Sequence, residues 1–150
     1  MQNAVCFIGH RKVEEKTVTE REVKILAEKL IEKGFNKFIF GDRSEFNDMC
    51  YKIVTEKRKC FPKIQRIHFR TNYENADEYT EKFLKIGYED SICPKGISKA
   101  GKSVYIQRNF AMIDESEICV FYYDGGVLKS GTATAFKYAS NKNKKIINLW

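Results

Sequence analysis

The chain of 150 residues lacks the features that mark several large classes of protein. Its longest apolar runs, such as residues 118–123, are the length of a strand and far short of the roughly 20 residues that cross a bilayer. The amino terminus has no basic segment followed by a long apolar one, which argues against a signal peptide. We therefore expect a cytoplasmic protein with no membrane partner.

Patterns that bind metals or carry redox chemistry are equally scarce. The chain has only two histidines, His10 and His68, and none of its five cysteines forms a Cys-x-x-Cys pair. We expect no metal site, no cofactor and reduced thiols, most of them buried as small hydrophobic side chains.

Positive charge, in contrast, is in excess. Lys and Arg total 27 against 20 acidic residues, which gives a net charge of +7 and directs attention to anionic partners. The excess is uneven, because residues 38–70, 95–113 and 125–150 are net basic while 71–94 and 114–124 are net acidic. This distribution favours a small anion in a focused pocket. Nucleic-acid binding remains a less favoured alternative, since no ladder of aromatic and basic residues is evident.

Short apolar runs alternate with helical patterns along the chain, as in proteins with parallel sheets. We expect an α/β, Rossmann-like, doubly wound fold: a mainly parallel five-stranded sheet with helices on both faces, in a single domain over 1–150. The third strand alternates in polarity and is predicted at a sheet edge. The predicted strands are 4–8, 38–40, 64–69, 118–123 and 146–149. Two helices are predicted by their starts, one at a capping box over 19–22 and one at Ser44. Three more are predicted over 78–86, 104–113 and 131–140.

Polar residues follow the first two strands, at the sheet edge where such folds bind ligands. Arg11 offers a planar fork for phosphate or carboxylate, and His10 offers a hydrogen bond or a proton. After the second strand, Ser44 stands at a helix start that can bind an anion. The alternatives are an ordinary turn and simple helix capping, with two acids set against the dipole. The candidate binding residues here are Gly9, His10, Arg11, Gly41, Arg43 and Ser44, and the candidate catalytic acids are Glu45 and Asp48.

The segment 124–132 carries the strongest local signal. Its glycines let backbone approach a phosphate, its hydroxyls add donors, and a helix begins within it. It matches neither a Walker loop nor a dinucleotide fingerprint, and a flexible connection is the alternative. The candidate ligand residues are Asp124, Gly125, Lys129, Ser130, Gly131 and Thr132.

A polar pair, Arg108 and Asn109, interrupts an otherwise apolar helix. Such a pair either projects into a cleft or forms a surface salt bridge. Tyr122 and Tyr123 close the fourth predicted strand, where they either stack on a base or belong to the core.

Four motifs taken together resemble the SLOG superfamily, and within it a bacterial and phage branch. They are residues 7–11 (FIGHR), 40–46 (FGDRSEF), 108–114 (RNFAMID) and 129–132 (KSGT), and their order spans nearly the whole chain. The resemblance implies a Rossmann-like fold and a nucleotide or nucleotide-derived ligand. The superfamily includes the Lonely Guy phosphoribohydrolases, the DNA-processing protein A family and predicted sensors of ADP-ribose-like signals.

One departure separates the chain from the Lonely Guy enzymes. Those enzymes carry a catalytic glutamate after the phosphate loop, where this chain has Ala135. The first hypothesis is therefore a binding module, a sensor or sink for a nucleotide-derived small molecule. The alternative is an N-glycoside hydrolase or transferase acting on nucleoside 5′-monophosphates with Glu45 or Asp48 as its carboxylate. Single-stranded nucleic-acid binding is the third, and the terminal strand before Trp150 suggests a homo-oligomer.

Overall fold

The computed structural model describes residues 1–41, 43–71, 84, 86–96, 101 and 103–150, and strands and helices alternate along it. Most of the short helix predicted at 78–86 lies outside these residues. No helix in the described part of the chain has the length and apolar character of a membrane span. The strands are β1 (Ala4–Gly9), β2 (Lys37–Phe40), β3 (Gln65–Phe69), β4 (Asp90–Ile92), β5 (Ile118–Tyr122) and β6 (Lys145–Asn148); the helices are α1 (Lys16–Glu32), α2 (Glu45–Cys60), α3 (Ser103–Glu115) and α4 (Gly131–Asn141).

The strands form one parallel sheet in the order β4-β3-β2-β1-β5-β6. The predicted α/β class and parallel sheet are confirmed, but the predicted number of five strands is wrong. The missed strand is β4, which has only three residues and no apolar run. Because β4 pairs with β3, β3 lies inside the sheet, and the prediction that it forms an edge is wrong as well.

Helices cover both faces of the sheet, as predicted. On one face, α1 and α2 bury Val23, Leu30 and Phe46 against the outward side chains of β1, β2 and β5. On the other face, α3 and α4 bury Met112 and Ala135 against the alternate residues of the same strands. Apolar side chains on both sides of the central strands explain why β1, β2 and β5 read as continuous apolar runs.

The strand order reverses between β1 and β5. Successive units build outward from β1 through β2 to β3, whereas β6 extends the sheet on the far side of β5. In open α/β sheets, crossovers diverge at such a point and leave a crevice beyond the carboxyl ends of the strands. The loops that follow β1 and β5 are therefore the natural walls of a ligand site.

Three helices start within one residue of the predicted position and one does not. Ser44 and Ser130 cap α2 and α4, since their hydroxyl oxygens accept hydrogen bonds of 3.0 Å from the N–H groups of Asn47 and Ala133. The predicted capping box at Thr19 is wrong. Helix α1 begins at Lys16, and the buried Thr19 donates its own N–H to the carbonyl of Glu15 within the first turn.

Candidate functional site

A pocket of about 740 Å³ opens where the crossovers diverge. The starts of α2 and α4 form two of its walls, α3 forms a third, and the end of β1 lies at its base. The structure brings most of the predicted binding residues into this one pocket. The lining residues are Gly9, His10, Arg11, Arg43, Ser44, Tyr105, Ile106, Arg108, Asn109, Ser130, Gly131 and Thr132.

The start of α4 presents unused hydrogen-bond donors to the pocket. The cap and the first helical bond engage the N–H groups of Ala133 and Thr134, while the N–H groups of Gly131 and Thr132 meet no acceptor among the described residues. The hydroxyl of Thr132 also lacks a partner among those residues, although Thr132 is only 8% exposed. With no acidic residue in its first turn, α4 keeps its positive end uncompensated.

The start of α2 faces the same pocket but is already compensated. Its first turn carries Glu45 and Asp48, whose charges oppose the positive end of the helix. The N–H of Glu45 is also taken, by the carbonyl of Arg11 at 2.8 Å. Of the two helix starts, α4 is therefore the stronger anion site.

The two candidate catalytic carboxylates do not line the pocket. One oxygen of Glu45 accepts a 2.8 Å hydrogen bond from the N–H of Val13, and the other pairs with Lys16 at 3.4 Å. The bond from Val13, and then the neighbouring Lys16, lower the pKa of Glu45. The side chain thus holds the loop between β1 and α1. Asp48 is exposed on α2, and no described residue that lines the pocket is acidic.

His10 joins the two loops that flank the pocket. Its Nε2 accepts a hydrogen bond of 2.7 Å from the N–H of Asp124, which places the hydrogen of the neutral ring on Nδ1. A carboxylate oxygen of Asp124 in turn accepts from the N–H of Gly126 at 2.8 Å and shapes the loop after β5. Asp124 therefore positions the site without lining it, and Gly125 and Lys129 are exposed on the same loop outside the lining.

Gly41 also acts from behind the pocket. A Cβ atom at this position would lie 2.6 Å from the carbonyl oxygen of Phe69 and 3.2 Å from Cδ of Arg108. Glycine thus lets the end of β2 approach β3 while the aliphatic part of Arg108 packs beside it. Arg108 is 3% exposed and donates to Oδ1 of Asn109 at 3.4 Å, whereas Arg43 lines the pocket from an exposed position.

Behind these arginines, His68 occupies a strongly basic environment. Burial, followed by the positive charges of Arg108, Arg70 and Arg43, lowers the pKa of His68 to about 4. Each of these causes disfavours the imidazolium, so His68 is neutral at physiological pH. Its ring lies 5.0 Å from that of Tyr88, measured between centroids.

Sequence reasoning missed two lining residues, Tyr105 and Ile106, in the first turn of α3. The usable signal was helical spacing, because Tyr105 precedes Arg108 by three residues and residues at that spacing share a helix face. Of the two tyrosines predicted to stack on a base or join the core, Tyr122 is buried and packs against Phe46, with ring centroids 5.6 Å apart. Neither Tyr122 nor Tyr123 lines the pocket.

A second cavity, of about 480 Å³, lies beside the first, with Tyr122 and Trp150 among its lining residues. The ring of His10 contacts Trp150 edge-on, at 6.1 Å between centroids. His10 therefore stands between the two cavities. The remaining walls of the second cavity are formed by Glu14, Glu15, Val18, Thr19, Glu22, Asn148 and Leu149.

Comparison of the chain with models of protein families gives no match, and a search among curated proteins gives none at a significant level.

Proposed function

We propose that this protein binds a nucleotide or a nucleotide-derived small molecule, as a sensor or sink of that molecule. The phosphate lies at the start of α4, on the loop formed by Ser130, Gly131 and Thr132. The observation that carries the proposal is the set of unused donors at this point: two N–H groups and the hydroxyl of Thr132, a residue that is itself only 8% exposed. A bound phosphate supplies the acceptors that these groups lack.

Three features of the pocket support an anionic ligand of this size. Its volume of about 740 Å³ lies within the roughly 300–1,000 Å³ usual for small-molecule sites. Arg11, Arg43 and Arg108 are among its lining residues, and the planar fork of arginine suits phosphate. The pocket also stands at the switch point of a parallel sheet, where such ligands commonly bind.

The order of the four motifs supports assignment of the chain to the SLOG superfamily as part of the same proposal. All four motifs supply lining residues, and the motif 129–132 also supplies the start of α4. A binding role is preferred to N-glycoside cleavage because Glu45 is engaged by Val13 and Lys16, away from the pocket.

The proposal is tested by calorimetric titration with ADP-ribose, AMP, ribose 5-phosphate and unphosphorylated adenosine. We expect the phosphorylated ligands to bind. We expect Thr132→Val to lower the affinity for them about tenfold or more, since a hydrogen bond to a charged group contributes about 1.5–3 kcal/mol. Thr134→Val is the matched control, because its exposed hydroxyl donates to the carbonyl of Ser130 within the same helix. Failure of every phosphorylated ligand to bind at millimolar concentration would refute the proposal.

A further inference from the structure

Tyr105 combines a position in the pocket wall with an exposure that folding alone does not explain. Its neighbour Val104 and the later residues Met112 and Ile113 of α3 are fully buried in the core, whereas Tyr105 is 37% exposed and lines the pocket. An aromatic ring at the edge of a polar pocket offers a flat apolar surface to whatever enters.

The ring of Tyr105 is held by a neighbour on the same helix. The guanidinium carbon of Arg108 lies 5.6 Å from its centroid, one helical turn further along. Because Arg108 is almost entirely buried, its contact restricts the motion of the ring and preorganises it as a platform.

Asn109 adds a directional group beside this platform. It is 6% exposed and lines the same pocket, and its Oδ1 accepts from Arg108. The amide nitrogen then remains as a donor, and it meets no acceptor among the described residues. A donor without a protein partner, on a residue that lines the pocket, can bond to an acceptor on the ligand, which the ring nitrogens or exocyclic oxygens of a nucleobase provide.

We propose that the ligand carries an aromatic base which stacks on Tyr105, with Asn109 hydrogen-bonded to its edge. This inference rests on the proposed function, since it takes the phosphate at the start of α4 as the other end of the ligand. Tyr105 is then the residue that distinguishes a nucleotide from a plain sugar phosphate.

The test compares AMP, which has a base, with ribose 5-phosphate, which has none, and with adenosine, which has no phosphate. Each is titrated calorimetrically into the wild type, Tyr105→Leu and Tyr105→Phe. We expect Tyr105→Leu to lower the affinity for AMP about tenfold or more, as the loss of a stacking ring does in proteins that bind single-stranded nucleic acids. Tyr105→Phe keeps the ring and should lower the affinity less than about threefold. Ribose 5-phosphate should bind all three proteins with the same affinity.

The two proposals fail in different ways. If the wild type binds ribose 5-phosphate as tightly as AMP, the base platform is refuted while the phosphate site stands. If adenosine binds in a manner that depends on Tyr105 while ribose 5-phosphate does not bind, the phosphate site is refuted and the platform stands. Equal weakening of AMP and ribose 5-phosphate by Tyr105→Leu would also overturn the platform, because the ring would then act on the shape of the whole pocket.

A second measurement covers the possibility that Tyr105→Leu folds poorly. In the wild type, with labelled tyrosine rings, AMP should shift the ring resonances of Tyr105 by stacking, and ribose 5-phosphate should leave them in place. Tyr105→Phe identifies the resonances by their loss. Identical shifts with the two ligands would overturn the inference.

Discussion

Nε2 of His10 accepts the N–H of Asp124 at 2.7 Å, and this bond joins the loop after β1 to the loop after β5. These loops leave neighbouring strands whose crossovers run in opposite directions. The bond therefore lies beside the crevice in which the ligand is proposed to lie, and it places the hydrogen of the neutral ring on Nδ1.

Replacing His10 should loosen the loop 124–130. We expect His10→Ala to cost about 1–2 kcal/mol in the free energy of unfolding, through the loss of a partly buried hydrogen bond. Hydrogen exchange should quicken at the amide of Asp124 and its neighbours, while the amides of α1 keep their protection. Unchanged exchange at Asp124 would show that the bond does not hold the loop.

Gly9 should not tolerate a side chain, because a Cβ atom there would lie 2.6 Å from the buried ring of Phe46. We expect Gly9→Ala to cost about 1–3 kcal/mol in the free energy of unfolding, as overpacking of a core does. Gly125→Ala is the matched control, since a Cβ atom there meets nothing within 4 Å, and its effect should stay within about 0.5 kcal/mol. Urea denaturation of the two variants measures the difference, and equal midpoints would contradict the expectation.

The free energy of unfolding should decrease as the pH is lowered through a window set by His68. Its folded pKa of about 4 lies below the ordinary value of 6.5, so the unfolded chain takes up the proton first as the pH falls. Stability is therefore lost from about pH 6.5 down to about pH 4, by at most ~3 kcal/mol. Glu45 and Glu89, whose pKa values are lowered, add losses at the acidic end. We expect His68→Gln to flatten the curve between pH 6.5 and 5, and an unaltered slope would contradict this account.

Binding of a phosphate should raise the pKa of His68. Charges on Arg108 and Arg43 help to lower that pKa, and both arginines line the pocket. An anion near them offsets part of their repulsion of the imidazolium. NMR titration can follow this directly, because the chain has only two histidines and His10→Asn assigns the other resonance. A ligand that binds without moving the titration of His68 lies away from these arginines.

Glu45 should contribute to the loop and not to the ligand. We expect Glu45→Gln to leave the affinity for AMP unchanged within about twofold, because its carboxylate contacts Val13 and Lys16 outside the pocket. Asp48→Asn should behave alike. If the wild type releases the base from nucleoside monophosphates and either variant does not, the acids are catalytic. A binding role alone would then be insufficient.

Much of this architecture can be predicted from local patterns. Apolar runs identify β1, β2 and β5 because these strands are buried on both faces, and Ser44 and Ser130 identify helix starts because capping is a local interaction. Strand β4 has no such pattern. It is joined to β3 by backbone pairing and by the ion pair between Arg66 and Glu89, at 2.8 Å, whose partners are 23 residues apart.

The site is predictable only as far as the backbone determines it. Glycines and caps mark the loops, but the direction of each side chain depends on contacts that are distant in sequence. Glu45 turns toward Val13, 32 residues earlier, and Tyr105 turns to the pocket while Val104 turns to the core. A position in the first turn of a helix does not distinguish these outcomes.

The edge-on contact between His10 and Trp150 gives the protein a built-in optical probe. Trp150 is the only tryptophan in the chain and is half exposed. It contacts His10, which lines the pocket. Its emission can therefore be followed without a label as the loops around His10 respond to a ligand. The change in tryptophan fluorescence on adding each compound can rank candidate ligands before the natural ligand is known. Trp150→Phe, which lacks this emission, is the control.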